Sequence, residues 1–292
     1  MSKIIILGGS GFIGKFLIST LLKKNQNILA LKHQNSIASK CITFDGDILE
    51  SGLLDNVIEE NDLVINLIGQ LNDNSPNFIN TNILGNLNIL ESCRKKKSSL
   101  LLISSSHVYG NNEQFSSKED DIQNPQTLYG IIKSINEKIC KHFSSTYNQN
   151  ITILRLSNVY GPSKISGIIA QFFDSLAKKN SPVILYNNGE YMRDFIYLDD
   201  AVNGILKSIE KFQPGFNVFN ISTGTRISMI ELAKKIENIS NITIPLKYSP
   251  INPDEQSIWA DNKKAKNILN FYPKIPLDKG LSLTYESYKT RN

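Results

Sequence analysis

Short apolar runs recur along the first half of the chain, and stretches with apolar residues at helical spacing separate them. The runs are rich in β-branched residues and cover residues 3–7, 28–31, 63–68, 100–103 and 151–156. Runs of this kind are typical of strands that are buried on both faces of a parallel sheet. The helical stretches between them include residues 12–24, 82–96 and 129–147. The alternation predicts right-handed βαβ units, and therefore an α/β fold with a doubly wound parallel sheet.

The pattern changes after Leu156, where prolines and an Asn-Asn-Gly turn break the chain into shorter elements. Four prolines fall within the last 45 residues. One helix is still indicated at residues 228–238, with Ser228 as its N-cap. In doubly wound folds, ligands bind beyond the carboxyl ends of the strands. We therefore predict a smaller, loop-rich C-terminal lobe that covers a substrate.

Three glycines, Gly8, Gly11 and Gly14, follow the first predicted strand and lead into the first predicted helix. In a phosphate-binding turn, the first glycine allows a tight turn and the second lets the backbone approach a pyrophosphate. The third lets helix and strand pack closely. The start of the helix offers N–H groups and a positive dipole end to the phosphates. We predict a dinucleotide-binding turn that includes Phe12 and Ile13; a glycine-rich turn without a ligand is the alternative.

The end of the second predicted strand indicates which dinucleotide is bound. A carboxylate at this place would accept a hydrogen bond from the ribose 2′-hydroxyl of NAD, but residues 30–36 contain no acid. Lys32 can instead meet a 2′-phosphate, with help from His33, Asn35 or Ser36. We therefore expect NADP(H) as the cofactor, with NAD as the alternative. Lys32 as a solvated strand-end lysine is the competing interpretation.

The sequence Gly46-Asp47-Ile48 lies downstream of this strand. We expect Asp47 and Ile48 to bracket the adenine of the cofactor. A plain turn before a helix is the alternative interpretation of the same residues.

Tyr129 and Lys133 stand four residues apart on a predicted helix. This spacing places both side chains on one face, one turn apart. An ammonium near a phenol favours the phenolate and lowers the pKa of the tyrosine, which suits it for proton transfer. Three serines, residues 104–106, end a predicted buried strand, where a hydroxyl can hydrogen-bond a substrate oxygen.

An ordered set of segments connects these features along the chain. The segments are residues 8–14, 46–48, 82–86, 104–110, 129–133, 155–162, 193–200 and 219–222. With this set, the chain resembles the extended short-chain dehydrogenase/reductase family, in its branch of nucleotide-sugar epimerases, dehydratases and reductases. The resemblance implies a Rossmann domain from residues 1–160 plus 194–224. It implies a nucleotide-sugar lobe from residues 161–193 plus 225–292.

The resemblance also implies roles for individual side chains. Tyr129 becomes the general acid/base, and Lys133 orients the cofactor ribose and tunes Tyr129. Counting back from the Val-Tyr-Gly sequence at residues 108–110 assigns the catalytic serine to Ser105. Its neighbours Ser106 and His107 are expected to contact the substrate.

Two residues of the second half, Asn158 and Arg193, match positions that contact the sugar diphosphate in relatives. A guanidinium suits a diphosphate because it can bind it bidentately. A structural ion pair between Arg193 and a nearby aspartate is the alternative. Many relatives carry a second arginine near the C-terminus. Residues 251–254 lack it, and Lys247 is the candidate substitute.

One departure from the family pattern bears on the reaction. Dehydratases of this branch carry an acidic pair just after the catalytic threonine, and here those positions hold Ser106 and His107. We therefore argue against 4,6-dehydration. The expected function is reduction, by NADPH, of the C4 ketone of a 4-keto-sugar nucleotide. An NAD-dependent nucleotide-sugar 4-epimerase is the alternative, and a non-catalytic dinucleotide-binding protein is the third hypothesis.

Composition limits the remaining function classes. The chain has 292 residues, of which 40% are hydrophobic and 20% charged, and its net charge is +5. The excess of lysine is spread along the chain, so no nucleic-acid partner is expected. Three cysteines without ligand spacing predict reduced thiols and no metal site. No apolar run reaches ~18 residues, so we expect no membrane span and a cytoplasmic protein. The family resemblance implies that the protein is a homodimer.

Overall fold

The computed structural model describes residues 3–33, 35, 37, 40–70, 75–164, 166–177, 181–250 and 256–290. The strands are β1 (Ile4–Leu7), β2 (Ile28–Lys32), β3 (Ile42–Asp45), β4 (Leu63–Asn66), β5 (Ser99–Ser105), β6 (Ile151–Leu156), β7 (Asn158–Tyr160), β8 (Val183–Tyr186), β9 (Met192–Arg193), β10 (Phe195–Tyr197), β11 (Phe216–Ile221), β12 (Ile227–Ser228) and β13 (Leu246–Ser249). The helices are α1 (Phe12–Lys23), α2 (Gly85–Lys95), α3 (Leu128–Tyr147), α4 (Ile168–Ala177), α5 (Leu198–Glu210), α6 (Met229–Ser240) and α7 (Leu277–Lys289).

A parallel sheet forms the centre of the fold and confirms the predicted doubly wound, Rossmann-like class. Within the described residues it has seven strands, in the order β11-β6-β5-β4-β1-β2-β3. β1 pairs in parallel with β2 on one side and with β4 on the other, so that Ile5 is opposite Leu29 and Val64. The order of the strands therefore reverses next to β1, which is where ligands bind in sheets of this type.

Contacts divide the chain into two units. The first unit comprises Met1–Val108, Leu128–Arg155 and Ser208–Phe219. The second unit comprises Tyr109–Thr127, Leu156–Lys207 and Asn220–Asn292. The division predicted from the sequence concerns which segments hold cofactor and substrate, and it stays a prediction.

The core of the first unit is built from the sheet and the helices that cover it. Ile5 and Leu100 on the strands and Ile89 on α2 are fully buried in one apolar cluster. Cys93 and Cys140 belong to the same cluster, and burial raises the pKa of each thiol to about 12. These cysteines are therefore protonated, unpaired side chains that pack like small apolar residues.

The second unit has its own, more aromatic core. Phe172 and Phe173 on α4 are buried, and Phe173 stacks on Tyr285 of α7 with ring centres 5.7 Å apart. Three two-stranded sheets, β10-β7, β12-β9 and β13-β8, complete the described part of this unit. Ser228 caps α6 as predicted, since its side chain accepts a hydrogen bond from the N–H of Glu231 in a capping box.

A buried ion pair joins α3 to the sheet inside the first unit. Arg155 of β6 donates to both carboxylate oxygens of Glu137 on α3, with the shortest contact at 2.7 Å. The Ser104 hydroxyl on β5 donates to the same carboxylate at 2.5 Å. All three side chains are buried. One carboxylate therefore holds two neighbouring strands against the helix.

We expect the Glu137→Gln variant to lose about 3 kcal/mol of unfolding free energy, because Arg155 then keeps a buried charge without its counter-charge. The double variant E137Q/R155M removes both charges and should recover most of this loss. Equilibrium unfolding in urea measures both values. The exposed pair Lys24–Glu210, at 3.3 Å, provides the control E210Q, which should cost less than ~1 kcal/mol. A double variant as unstable as E137Q would contradict the expectation.

Candidate active site

The three glycines predicted to bind a phosphate form a tight turn between β1 and α1. Gly8 has a φ of +85°, and its carbonyl accepts a hydrogen bond from the N–H of Gly11 at 3.1 Å. A Cβ on Gly14 would lie 2.3 Å from the Gly8 carbonyl oxygen, so only glycine fits there. α1 starts at Phe12 without a side-chain cap. The tight backbone turn followed by a helix start fits a dinucleotide pyrophosphate.

The geometry around Lys32 does not support the expected NADP(H) preference. Lys32 ends β2 and is paired in register with Asp45, and its Nζ lies 3.2 Å from the Asp45 carboxylate. His33 Nε2 lies 3.3 Å from the carboxylate of Asp47. Two carboxylates, Asp45 at the end of β3 and Asp47 just after it, therefore accompany the cationic side chains on which the expectation depended. Ser36, the further candidate, lies outside the described residues.

The predicted adenine contacts, Asp47 and Ile48, form a turn after β3. Asp47 Oδ1 accepts a hydrogen bond from the N–H of Leu49 at 3.0 Å. Ile48 is buried, and its side chain packs so closely on Gly85 that a Cβ there would lie 2.3 Å from it. Both residues thus have structural contacts in the protein itself, and their role toward adenine stays a prediction.

The predicted catalytic side chains come together in the first unit. Ser105 ends β5, and its hydroxyl is hydrogen-bonded with Tyr129 in the first turn of α3. One turn later, Lys133 Nζ lies 5.8 Å from the centre of the Tyr129 ring and donates to the Ile103 carbonyl at 2.9 Å. The serine at the end of β5 and the tyrosine and lysine on one face of α3, all predicted from the sequence, therefore lie close together.

Burial controls the charge of these groups. It raises the pKa of Tyr129 to about 12, against the opposing effect of the hydrogen bond with Ser105. It lowers the pKa of Lys133 to about 8, whereas the nearby carboxylate of Glu137 acts in the opposite direction. In the protein alone, Tyr129 is therefore a protonated phenol, and Lys133 titrates close to neutral pH. A phenol beside a titratable ammonium can give and take a proton at a bound oxygen.

Ser106 and His107 follow Ser105 in a short 3₁₀ turn, Ser106–Val108. The His107 ring meets the edge of the Tyr129 ring with centres 5.9 Å apart. The backbone N–H of His107 lies 3.3 Å from the Ser105 hydroxyl oxygen, to which it donates. Ser106 is buried, whereas His107 is half-buried. His107 thus borders the phenol that the sequence predicts to be catalytic.

Sequence reasoning missed Glu137, which continues the face of α3 that carries Tyr129 and Lys133. The spacing of four residues from Lys133 to Glu137 was the available signal. Its partner Arg155 lies 18 residues further on and gave no such signal, because strand pairing alone brings it close.

Asn82 holds the loop that lies beside Lys133. Its side-chain amide donates to the Gln70 carbonyl at 3.1 Å and accepts from the Gln70 N–H at 3.1 Å. The loop it holds includes Gly69, where a Cβ would come within 3.2 Å of Lys133 Nζ. The sequence showed Asn82 only as part of a motif, not as the residue that fixes this loop.

In the second unit, Asn158 and Arg193 lie on short strands that frame Asp194. Asn158 donates its side-chain N–H to the Asp194 carbonyl at 3.0 Å. The carboxylate of Asp194 accepts from the hydroxyl and N–H of Thr223 and from the N–H of Gly224. Burial raises the pKa of Asp194 to about 6, against the effect of these hydrogen bonds.

Arg193 lines a cavity of about 670 Å³ within the second unit. Residues of α4 and β8 form its other walls, among them Gln171, Leu185 and Tyr186. The volume is in the range of small-molecule sites. Lys247, the candidate substitute for a missing arginine, is on β13 beside Ile184 of β8. Residues 251–254, where that arginine is lacking, lie outside the described residues.

Neither a metal centre nor a membrane helix is found in the part of the chain that the structure describes. There, no group of three or more His, Cys, Asp or Glu side chains is placed to hold a metal ion. No helix of this part combines the length and the apolar character that crossing a bilayer requires.

Comparison with known proteins extends these observations. The chain is similar to a dTDP-D-glucose 4,6-dehydratase of Dictyostelium discoideum, with 32% identity over 82% of this chain and 62% of the relative. It is similar to the structure of a UDP-glucose 4-epimerase from Thermotoga maritima with UDP-glucose, with 27% identity, a TM-score of 0.87 and 99% of both chains covered.

A further solved structure is a UDP-glucuronic acid 4-epimerase from Bacillus cereus in complex with UDP-glucuronic acid and NAD. It shares 26% identity and a TM-score of 0.88 with this chain, over 99% of this chain and 100% of the other. The family model described as "NAD dependent epimerase/dehydratase family" matches residues 4–222. The match covers most of the chain, from the start of β1 to just after β11. The chain therefore belongs to the NAD-dependent epimerase/dehydratase family of enzymes.

Proposed function

We propose that this protein is an NAD-dependent 4-epimerase of a UDP-sugar. The observation that carries the proposal is that Ser105, Tyr129 and Lys133 come together in the structure. Ser106 and His107 directly follow Ser105, at the positions where the sequence comparison places the two acids of a dehydratase. This set can move a proton at a C4 hydroxyl but lacks the acid pair for elimination. The similar 4-epimerases of UDP-glucose and of UDP-glucuronic acid support the same reaction.

The sequence favoured a 4-keto-sugar reductase because Lys32 suited NADPH. The structure pairs Lys32 with Asp45, which takes away the physical reason for that preference. The B. cereus relative binds NAD. Epimerisation, which uses and regenerates the same NAD⁺, is therefore the better-supported reaction.

The first unit contains the groups that would hold NAD. The turn from Gly8 to Gly14 would bind the pyrophosphate, and Lys133 would hydrogen-bond ribose hydroxyls. Asp45 and Asp47 would repel a 2′-phosphate and accept a bond from a free 2′-hydroxyl. When bound, NAD⁺ would supply the hydride acceptor and a positive charge that favours a phenolate nearby.

Within this proposal, Tyr129 removes the proton from the C4 hydroxyl and later returns it, while Ser105 hydrogen-bonds the same oxygen. Lys133 has to be charged to favour the phenolate, and Glu137 supports this charge. His107 forms part of the wall beside Tyr129. The residues of the second unit, Arg193 and Asn158, bind the nucleotide diphosphate part, and the cavity beside Arg193 receives the nucleoside.

We also propose that two copies of the chain pair through α3. Leu128, Ile131 and Ile135 lie along one helix face, and each is more than a third exposed. Leu84, next to α2, is exposed as well. Four exposed branched residues on adjacent segments form an apolar patch that a second copy can cover.

The Tyr129→Phe variant should lose at least a hundredfold in the interconversion of UDP-glucose and UDP-galactose, because the oxygen that moves the proton is gone. Its affinity for NAD should be unchanged. The matched control is Tyr147→Phe at the exposed end of the same helix, which should keep full activity. If Y129F retained more than a tenth of the activity, Tyr129 would not be the acid/base. Activity in wild type that needs stoichiometric NADPH would contradict epimerisation.

The purified protein should retain NAD, because epimerisation regenerates its own cofactor. Denaturation followed by mass spectrometry identifies the released dinucleotide. For protein stripped of cofactor, NAD should bind more tightly than NADP. The Asp45→Asn variant should lower the ratio of the NADP dissociation constant to the NAD dissociation constant about fivefold. The reason is that Lys32 then meets the 2′-phosphate of NADP without a competing carboxylate. A wild type that releases NADP would contradict the proposal.

The double variant I131E/I135E should halve the molar mass measured by light scattering after size exclusion, because charged residues cannot be buried between two copies. The control is Lys141→Glu on another face of α3, which should stay dimeric. A wild type that is monomeric at micromolar concentration would rule out this pairing.

A further inference from the structure

A second cavity of the second unit, which we call the basic cleft, has a volume of about 630 Å³. Five cationic side chains line it, and Glu231 is the single acid among its lining residues. The cations are Arg193, Arg226, Lys234, Lys235 and Lys274. The proposed function uses none of these except Arg193. The cleft is therefore a positively charged site that the proposed function does not use, apart from Arg193.

Two carboxylates offset part of this charge. Glu231, which accepts hydrogen bonds from Ser228 at the start of α6, attracts Lys234 and Lys235, and Lys235 also pairs with Asp278 at 2.7 Å. Among the described residues, Lys234 and Lys274 have no carboxylate partner within ion-pair distance. Two ammonium groups thus face the cleft with their charge available to an anion.

The remaining surface of the cleft is apolar. Phe195 and Ile227 contribute from β10 and β12, and residues 275–277 contribute an isoleucine, a proline and a leucine. Cavities that combine a few charged groups with apolar walls suit ligands that have both an anionic and an apolar part. A nucleotide has this composition, since its phosphates need cations and its base and ribose need a flat or apolar surface.

Arg193 lines both the basic cleft and the 670 Å³ cavity beside α4 and β8. Its strand, β9, pairs with β12 so that Arg193 lies opposite Ile227 of the cleft. One arginine therefore borders two cavities, and a single guanidinium cannot make full bidentate contacts to an anion in each of them at once.

We propose that the basic cleft binds a nucleotide, and that this second site opposes substrate binding through Arg193. The second half of the proposal depends on the proposed function, because it takes the other cavity as the substrate site. A nucleotide in the cleft competes for the guanidinium that a sugar diphosphate needs. By linkage, each ligand weakens the other by the same factor.

Trp259, the only tryptophan of the chain, offers a direct signal. The Arg226 guanidinium lies over its ring, 4.7 Å from the centre. A ligand that draws Arg226 into the cleft should change the fluorescence of Trp259. This readout needs no enzyme activity, so it is independent of the proposed epimerisation.

The test is a titration of the full chain with ADP, in saturating NAD so that the cofactor site is filled. We expect a saturable change in Trp259 fluorescence, with ADP at least tenfold tighter than inorganic pyrophosphate because the apolar walls contribute. The variant K234E/K274E should weaken ADP at least tenfold. The control K23E/K211E changes two exposed lysines of the first unit by the same total charge and should bind ADP like wild type.

Three outcomes would overturn the nucleotide site. These are no saturable signal, equal affinities for ADP and pyrophosphate, and unchanged ADP affinity in K234E/K274E.

Coupling between the two cavities is tested separately. ADP should raise the KM for UDP-glucose about threefold in wild type at constant kcat, and not in K234E/K274E. An equal rise in both proteins would mean that ADP enters the substrate cavity directly, and would refute coupling through Arg193. A chain without epimerase activity would refute the proposed function and leave the fluorescence result intact.

Discussion

The arrangement of the candidate active site depends on one buried carboxylate. Glu137 binds Arg155 of β6 and Ser104 of β5, so α3 has a defined position against two adjacent strands. Tyr129 and Lys133 are on the same helix, and Ser105 directly follows Ser104. A buried ion pair contributes little net stability by itself, but it strongly disfavours any arrangement that leaves one charge alone. The register between phenol, ammonium and serine hydroxyl follows from that constraint.

The same carboxylate links the architecture to the chemistry. Burial favours the neutral forms of both Tyr129 and Lys133, and the negative charge of Glu137 works against the loss of the lysine charge. The site is therefore electrostatically poised, with a phenol that needs nearby positive charge before it can act as a base. A cationic cofactor bound at the glycine turn would complete this balance, so that under the proposed function the same residues would serve both binding and catalysis.

The two units also differ in the distribution of their charged side chains. In the first unit, carboxylates accompany the cations near the end of β2, and this argues for a cofactor without a 2′-phosphate. In the second unit, Arg193 faces two cavities, of which one has excess positive charge. The basic cleft owes its charge to two arginines and three lysines.

Local periodicity determined much of this protein. The apolar runs, the glycine spacing and the interval from Tyr129 to Lys133 predicted the parallel sheet, the phosphate turn and the catalytic face, because each depends on neighbours within a few residues. Asp45 beside Lys32, Arg155 beside Glu137 and the shared position of Arg193 were decided by tertiary structure. These contacts join segments whose distance is set by strand pairing and register, and no pattern within one segment encodes them.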